Sequence, residues 1–257
     1  MKCKDIIKQL ETIAPVHYAE KWDNVGLIVG DEEQEVHKVL IALDPSTEVI
    51  EQAIEQQCDM IITHHPLIFS PMKKITNNDF IGKRILSMMN NSIVYYAMHT
   101  NMDIAIMADE SATMIGLKDT VPLEQVDASD LQVGIGRFGN LTREMSLLEL
   151  AKEVKKQFHL DDVRVVGDLE RNIKTVAIST GSGEDFIENA ILMGADVLIT
   201  GDIRHHKALD AIERNLSIID AGHYGTERFM VEWLCAHLKV NNVTVLMARE
   251  QSPFKII

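Results

Sequence analysis

Cysteine is scarce and scattered. Cys3, Cys58 and Cys235 are the only three in 257 residues. None forms a CxxC pair, so neither a disulfide framework nor a thiolate zinc or redox motif is encoded, and this usage suits a reducing compartment. Long apolar runs are missing, and no segment approaches the roughly 20 residues that cross a bilayer. Residues 1–10 carry charge through an amphipathic pattern and lack the apolar stretch of a secretory signal. The expectation is a soluble cytoplasmic chain with no membrane partner. Positive charge is also in deficit, with 25 Lys and Arg against 39 Asp and Glu, a net charge of −14. Such a field repels a phosphate backbone and argues against nucleic acid as a partner. No P-loop is present, and no low-complexity linker divides the chain. Gly134-Ile135-Gly136-Arg137-Phe138-Gly139 matches a dinucleotide fingerprint only in its glycines. The next helix opens several residues later, at Ser146, so a Gly-rich turn is expected there.

What is present is an ordinary folded composition, 46% hydrophobic and 25% charged, long enough to bury a substantial core. Short apolar runs at 39–43, 60–63, 93–97, 163–166, 176–179, 197–200, 217–219 and 243–246 read as strands. Between them lie helix-period segments. Ile6, Leu10 and Ile13 line one face before Pro15, and Ser146-Leu147-Leu148-Glu149 is a capping box opening a helix to about Phe158. Alternating strands and helices imply an α/β fold with mainly parallel or mixed sheets.

The chain is also written twice. A shift of 137 positions aligns residues 39–63 with 176–200 without a gap, and nine of the 25 pairs are identical, among them Ile41/Ile178, Asp59/Asp196 and Thr63/Thr200. That density in a fixed register favours a duplicated unit over shared propensity. Two interlocked α/β repeats are expected, 1–125 and 126–257, meeting within 121–143.

Chemistry enters where the copies differ. Strand 60–63 runs into His64-His65-Pro66, and ligands gather at the carboxyl ends of strands in open α/β sheets. Pro66 prevents a central strand from continuing, so two imidazoles can turn toward one cavity or simply cap carbonyls. His99 precedes Asp103 by four residues, as His223 precedes Glu227. Residues four apart on a helix share a face, although Asp103 also suits a helix N-cap. Three of these His with the two carboxylates exceed the four ligands of one structural zinc and suggest two ions sharing a carboxylate, a pair able to hold a bridging hydroxide. Zn, Fe, Mn and Ni all accept such donors. His99 and His205 are candidate proton carriers, because imidazole titrates near neutrality. A packed His99 and a surface-exposed His205 remain open. Arg137, Arg204 and Lys207 are candidate phosphate contacts.

Five blocks, Glu20-Lys21-Trp22-Asp23-Asn24-Val25-Gly26-Leu27, Thr63-His64-His65-Pro66, His99-Thr100-Asn101-Met102-Asp103, Thr200-Gly201-Asp202-Ile203-Arg204-His205-His206 and Gly222-His223-Tyr224-Gly225-Thr226-Glu227, resemble the Nif-three-like family, whose members carry the name GTP cyclohydrolase I type 2 homologue. The resemblance covers the whole chain and corresponds to the short form without an inserted central domain. It implies two interlocked α/β repeats, a homohexameric ring and a site for two divalent metal ions. The ligands it implies are His64, His65, Asp103, His223 and Glu227, with Glu227 bridging. The reaction implied is hydrolytic opening of the guanine imidazole ring of GTP with release of formate, on a substrate the residues themselves do not name. Two alternatives stand beside it: a metal-dependent phosphoesterase acting on a small phosphorylated substrate, and a non-catalytic, metal-stabilised ring that works through partners. A ring acting on nucleic acid is the weakest reading.

Overall fold

The computed structural model describes residues 1–127 and 129–256. In chain order the first elements are α1 (Cys3–Ile13), β1 (Gly26–Val29), β2 (Lys38–Ala42), α2 (Thr47–Glu55), β3 (Met60–Thr63), α3 (Phe80–Asn90), β4 (Val94–Ala97) and α4 (Thr100–Met102). A π-helical stretch, Asp103–Met107, precedes α5 (Ala108–Met114), β5 (Lys118–Gln125), β6 (Gly134–Ser146), α6 (Leu147–Gln157), β7 (Arg164–Val166) and β8 (Asn172–Ser182). Then come α7 (Ile187–Leu192), β9 (Val197–Gly201), α8 (His205–Glu213), β10 (Ser217–Asp220), α9 (His223–Glu227), α10 (Phe229–His237) and β11 (Thr244–Met247). Among the described residues no helix is long and apolar enough to cross a membrane.

Packing divides the chain into two compact units, Met1–Met102 with Met230–Ile257, and Asp103–Phe229. The first unit holds a five-stranded sheet, β1-β4-β3-β2-β11, parallel except for β1. Residues of β2, β3 and β4 are buried on both faces, which explains why they read as continuous apolar runs instead of an alternation. Leu40, Ala42, Ile61, Tyr95 and Ala97 pack with Val49, Ile50 and Ala53 of α2 and with Ile85 and Met88 of α3. Ser46 caps α2 through Val49 N, and Asp79 caps α3 through Gly82 N.

The second unit holds a six-stranded mixed sheet, β5-β6-β8-β9-β10-β7. Its strands alternate between two cores, as the two-residue period of a strand requires. Val176, Ile178, Val197, Ile199 and Ile219 join Ala112 of α5 and Leu147, Leu150 and Val154 of α6. Ala177, Leu198 and Ile218 join Ile187 and Ala190 of α7 and Ala211 of α8. The Ser146–Glu149 capping box forms as expected.

The sequence repeat is a repeat of register. β2 pairs with β3 through Val39↔Met60, and β8 with β9 through Val176↔Val197, positions 137 apart. The shared aspartates explain part of the identity. Asp59 Oδ2 accepts from the backbone N–H groups of His37 and Lys38, and Asp196 Oδ2 from those of Lys174 and Thr175, equivalent positions at the two strand starts. The repeat and the packing units are different divisions of one chain, because β11 is the last strand in sequence yet pairs with β2.

One expectation is corrected. Gly134 to Gly139 is no turn but the start of the thirteen-residue strand β6. Its glycines let β5 and β8 pass close by: a Cβ on Gly134 would lie 2.1 Å from the Glu124 carbonyl oxygen, and one on Gly136 would lie 2.6 Å from that of Ile178. Strand glycines chosen for close approach are indistinguishable from turn glycines in a single sequence. Arg137, buried in this strand, binds Asp109 at 2.5 Å and the carbonyls of Gly134 and Gly136, so its guanidinium braces the sheet. Strands β1 and β5 also escaped the apolar-run criterion; β5 carries Lys118, Asp119, Glu124 and Gln125 on its exposed positions.

Candidate metal centre

The first unit gathers three imidazoles at the carboxyl ends of β3 and β4. Beyond Thr63 the chain turns through His64-His65-Pro66 and is held there by Tyr95, whose Oη accepts from Leu67 N at 2.9 Å and donates to the His65 carbonyl at 2.8 Å. Thr63 Oγ1 lies 2.7 Å from the same phenol. Burial in this network pushes the Tyr95 phenol well above its ordinary range, so it stays a protonated donor. Tyr95→Phe takes the acceptor from the Leu67 amide and one of two donors from the His65 carbonyl, which keeps Thr63 Oγ1 at 2.7 Å, and should cost about 1–3 kcal/mol in urea unfolding. An unchanged midpoint would mean that the turn holds its shape without the phenol.

The imidazole donor atoms of His64, His65 and His99 lie within 4.8 Å of one another, with ring centroids 4.9 to 5.5 Å apart. Each ring is fixed by an oxygen at Nδ1. The acceptor is the Met98 carbonyl for His64 (2.9 Å), Asp44 Oδ1 for His65 (2.8 Å) and Asp23 Oδ1 for His99 (2.9 Å). A carbonyl or carboxylate oxygen only accepts, so Nδ1 carries a proton and, in the neutral ring, the lone pair is on Nε2. Histidines that bind metals are held in this way, with the non-ligating N–H given to an oxygen behind the ring.

Asp23 does more than orient His99. It also accepts from Thr100 N at 3.0 Å and from Thr100 Oγ1 at 2.6 Å, so it caps the helical turns that begin at Thr100. The N-cap reading of Asp103 is corrected accordingly: the turns start three residues earlier, and the capping carboxylate comes from a distant loop. Burial alone would raise the Asp23 carboxyl; the hydrogen bonds from His99 and Thr100 outweigh it and hold the group down at about 2. A carboxyl lowered in the folded state adds stability above its unfolded value of about 4, and that contribution is lost as pH falls toward 2. Asp23→Asn should flatten the decline in denaturation midpoint between pH 5 and pH 2.5. A decline as steep as in the parent protein would assign the acid sensitivity to other groups.

The second unit brings together two carboxylates and one imidazole. α9 opens at Gly222 (φ +75°) and carries His223 and Glu227 on one face. His223 Nδ1 lies 2.7 Å from Asp202 Oδ2, and its Nε2 lies 3.1 Å from Glu227 Oε2. With the Nδ1 proton given to Asp202, a nitrogen lone pair faces a carboxylate oxygen, an arrangement satisfied by a proton or by a metal ion. A carboxylate oxygen of Asp103, at the head of the π-helical stretch, lies within 4.8 Å of one from Glu227. Gly181, at the end of β8, leaves space for this carboxylate: a Cβ there would lie 2.2 Å from Glu227 Oε1. Gly181 N also donates to Thr226 Oγ1 at 2.9 Å, tying the strand end to α9. Imidazole nitrogen and carboxylate oxygen without thiolate form a donor set suited to divalent first-row cations. These His, Asp and Glu clusters can therefore bind metal ions.

A family model described as Duf34/NIF3 (NGG1p interacting factor 3) matches residues 1–253. The chain belongs to this family. A relative from Clostridium acetobutylicum named GTP cyclohydrolase 1 type 2 homolog is 40% identical over 229 residues, 88% of this chain and 85% of that protein. Another of the same name, from Staphylococcus epidermidis, is 28% identical and aligns over 368 positions while covering 99% of this chain. It therefore carries sequence that this short NIF3 chain lacks. Among solved structures, the Bacillus cereus protein related to NIF3 superposes with a TM-score of 0.87 at 26% identity, covering 100% of this chain and 99% of its own. Reduced HcgD from Methanocaldococcus jannaschii superposes with a TM-score of 0.82 at 34% identity, covering 96% and 97%.

Within this NIF3 fold, the residues singled out by sequence fall unevenly. His64 and His65 stand together with His99 in the first unit. Asp103, His223 and Glu227 stand together in the second. His205 is exposed at the start of α8, its ring 5.3 Å from that of His206, and Arg204 is paired with Glu184. Sequence reasoning gave no role to Asp23, Asp44, Tyr95 or Asp202. The usable signal was position, since Asp44 and Asp202 follow strand ends beside the histidines they orient.

Proposed function

We propose that this NIF3 protein is a divalent-metal-dependent hydrolase of the cytoplasm, with two ions held by His64, His65, Asp103, His223 and Glu227, the last serving both. One observation supports this reading above the others: His64, His65, His99 and His223 each surrender Nδ1–H to an oxygen acceptor, so that four imidazoles offer Nε2. His237 shares the Nδ1–oxygen contact, and what separates the other four is that their rings lie in clusters of candidate ligands. When bound, a metal pair supplies an acidified water near neutral pH and a clamp for developing negative charge.

The chain's own residues do the rest. Asp23, Asp44 and Asp202 set the tautomers and rotations of the rings. Tyr95 shapes the turn that carries two of them. His99, with Nδ1–H bonded to Asp23, is placed to take a proton at Nε2 and hold it through that ion pair. His205 is the second candidate for proton transfer. Within the hydrolase class we favour the reaction the resemblance implies, opening of the guanine imidazole ring with formate release; the relatives' name, GTP cyclohydrolase 1 type 2 homolog, supports it, and a phosphoesterase and a non-catalytic ring are the rivals. A homohexamer is part of the same proposal.

Protein purified without chelator or added metal should carry about two ions per chain by elemental analysis, and light scattering should give a hexameric mass. Incubation with GTP should release formate; released phosphate instead selects the phosphoesterase. Turnover of neither kind across a nucleotide panel, with metal and assembly intact, leaves the non-catalytic ring.

A further inference from the structure

Large aromatic side chains belong in the interior, yet two of the most exposed in the first unit lie beside the same imidazole. Trp22 is 62% exposed and Phe69 54%. Their ring centroids lie 5.9 and 5.8 Å from that of His99, both nearly perpendicular to it, at 76° and 88°. Their loops are fastened by neighbouring residues. Asn24 Nδ2 donates to the Ile68 carbonyl at 2.7 Å, linking the segment after Trp22 to the residue before Phe69. Asp23, between Trp22 and Asn24, holds His99 and Thr100. The two rings are thus presented to solvent from braced backbone, with little ordering entropy left to lose on binding.

From this geometry we infer that Trp22 and Phe69 form an aromatic platform that binds the planar nitrogen heterocycle of the substrate beside His99. This rests on the hydrolase reading and deepens it by naming the residues that hold the base. Stacking on exposed aromatic faces recognises any flat base and needs no cationic groove, which suits a chain with a net charge of −14. It also gives a physical basis for choosing a nucleobase over a sugar phosphate, since neither aliphatic nor anionic groups stack. Trp22 and Phe69 are specificity-determining residues in this view, and the imidazoles beside them do the chemistry.

The chain has two tryptophans, so Trp233→Phe leaves Trp22 as the sole indole reporter. In that background, guanosine should quench the indole fluorescence saturably, while ribose 5-phosphate should not. Phe69→Ala and Phe69→Leu should weaken guanosine binding roughly tenfold and Phe69→Tyr should restore it, with metal content unchanged in every variant. Absence of saturable quenching, equal quenching by ribose 5-phosphate, or a Phe69→Leu titration like that of its parent overturns the platform. Because the titration reads binding without turnover, its failure with metal content intact leaves the hydrolase reading standing. Loss of metal from the parent protein would remove that reading instead.

Discussion

Glu227→Gln should purify nearly free of bound metal while keeping its fold. The substitution preserves shape but replaces an anionic oxygen donor with a neutral amide in a position 3% exposed. Loss of a partner behind a ligand already costs roughly 10–100-fold in metal affinity, and loss of the shared ligand should exceed that. In the metal-free protein the carboxylate lies 3.1 Å from His223 Nε2, and an amide of the same shape can keep a hydrogen bond there, so the fold should persist. The expected pair of results is elemental analysis far below the parent value and a cooperative metal-free unfolding transition. Added Mn or Zn should raise the midpoint of the parent protein and leave the variant's in place, because a ligand stabilises only the state that binds it. Parental metal content in Glu227→Gln would remove Glu227 from the site and the shared-ligand reading with it.

Gly181→Ala should produce the same metal loss without altering any donor. Its φ of +68° is unfavourable for a side chain, and the added Cβ would lie 2.2 Å from Glu227 Oε1, so the carboxylate must move. Gly194 offers a matched control. It has φ +76° with nothing within 4 Å of an added Cβ, so Gly194→Ala carries the backbone strain alone, about 1–2 kcal/mol. Both variants should lower the urea midpoint, and only Gly181→Ala should also empty the site. Equal metal content in the two would show that the Glu227 carboxylate tolerates displacement.

Much of the architecture was legible because local rules and tertiary demands coincide where strands are buried on both faces. Met60–Thr63 reads as a strand from its apolar run alone, and the 137-residue shift reappears as strand register. Legibility failed where a residue's purpose lies in a neighbour distant in sequence. Gly134 and Gly136 looked like a turn because a glycine that admits a passing strand has the same letter as one that bends the chain. Asp103 looked like a cap because the true cap, Asp23, arrives from a loop 77 residues away.

The sequence by itself determined the chemical inventory: an acidic chain poor in cysteine, duplicated in register, with histidines and carboxylates at strand ends. Only the tertiary structure decided which nitrogen each imidazole presents, because that depends on the oxygen behind the ring. Asp44 lies 21 residues from His65, Asp23 lies 76 from His99, and Asp202 lies 21 from His223. Such separations carry no periodic signature. They are set by strand register and by loop closure around it, which place an acceptor within hydrogen-bonding distance of Nδ1 and so fix where the lone pair points.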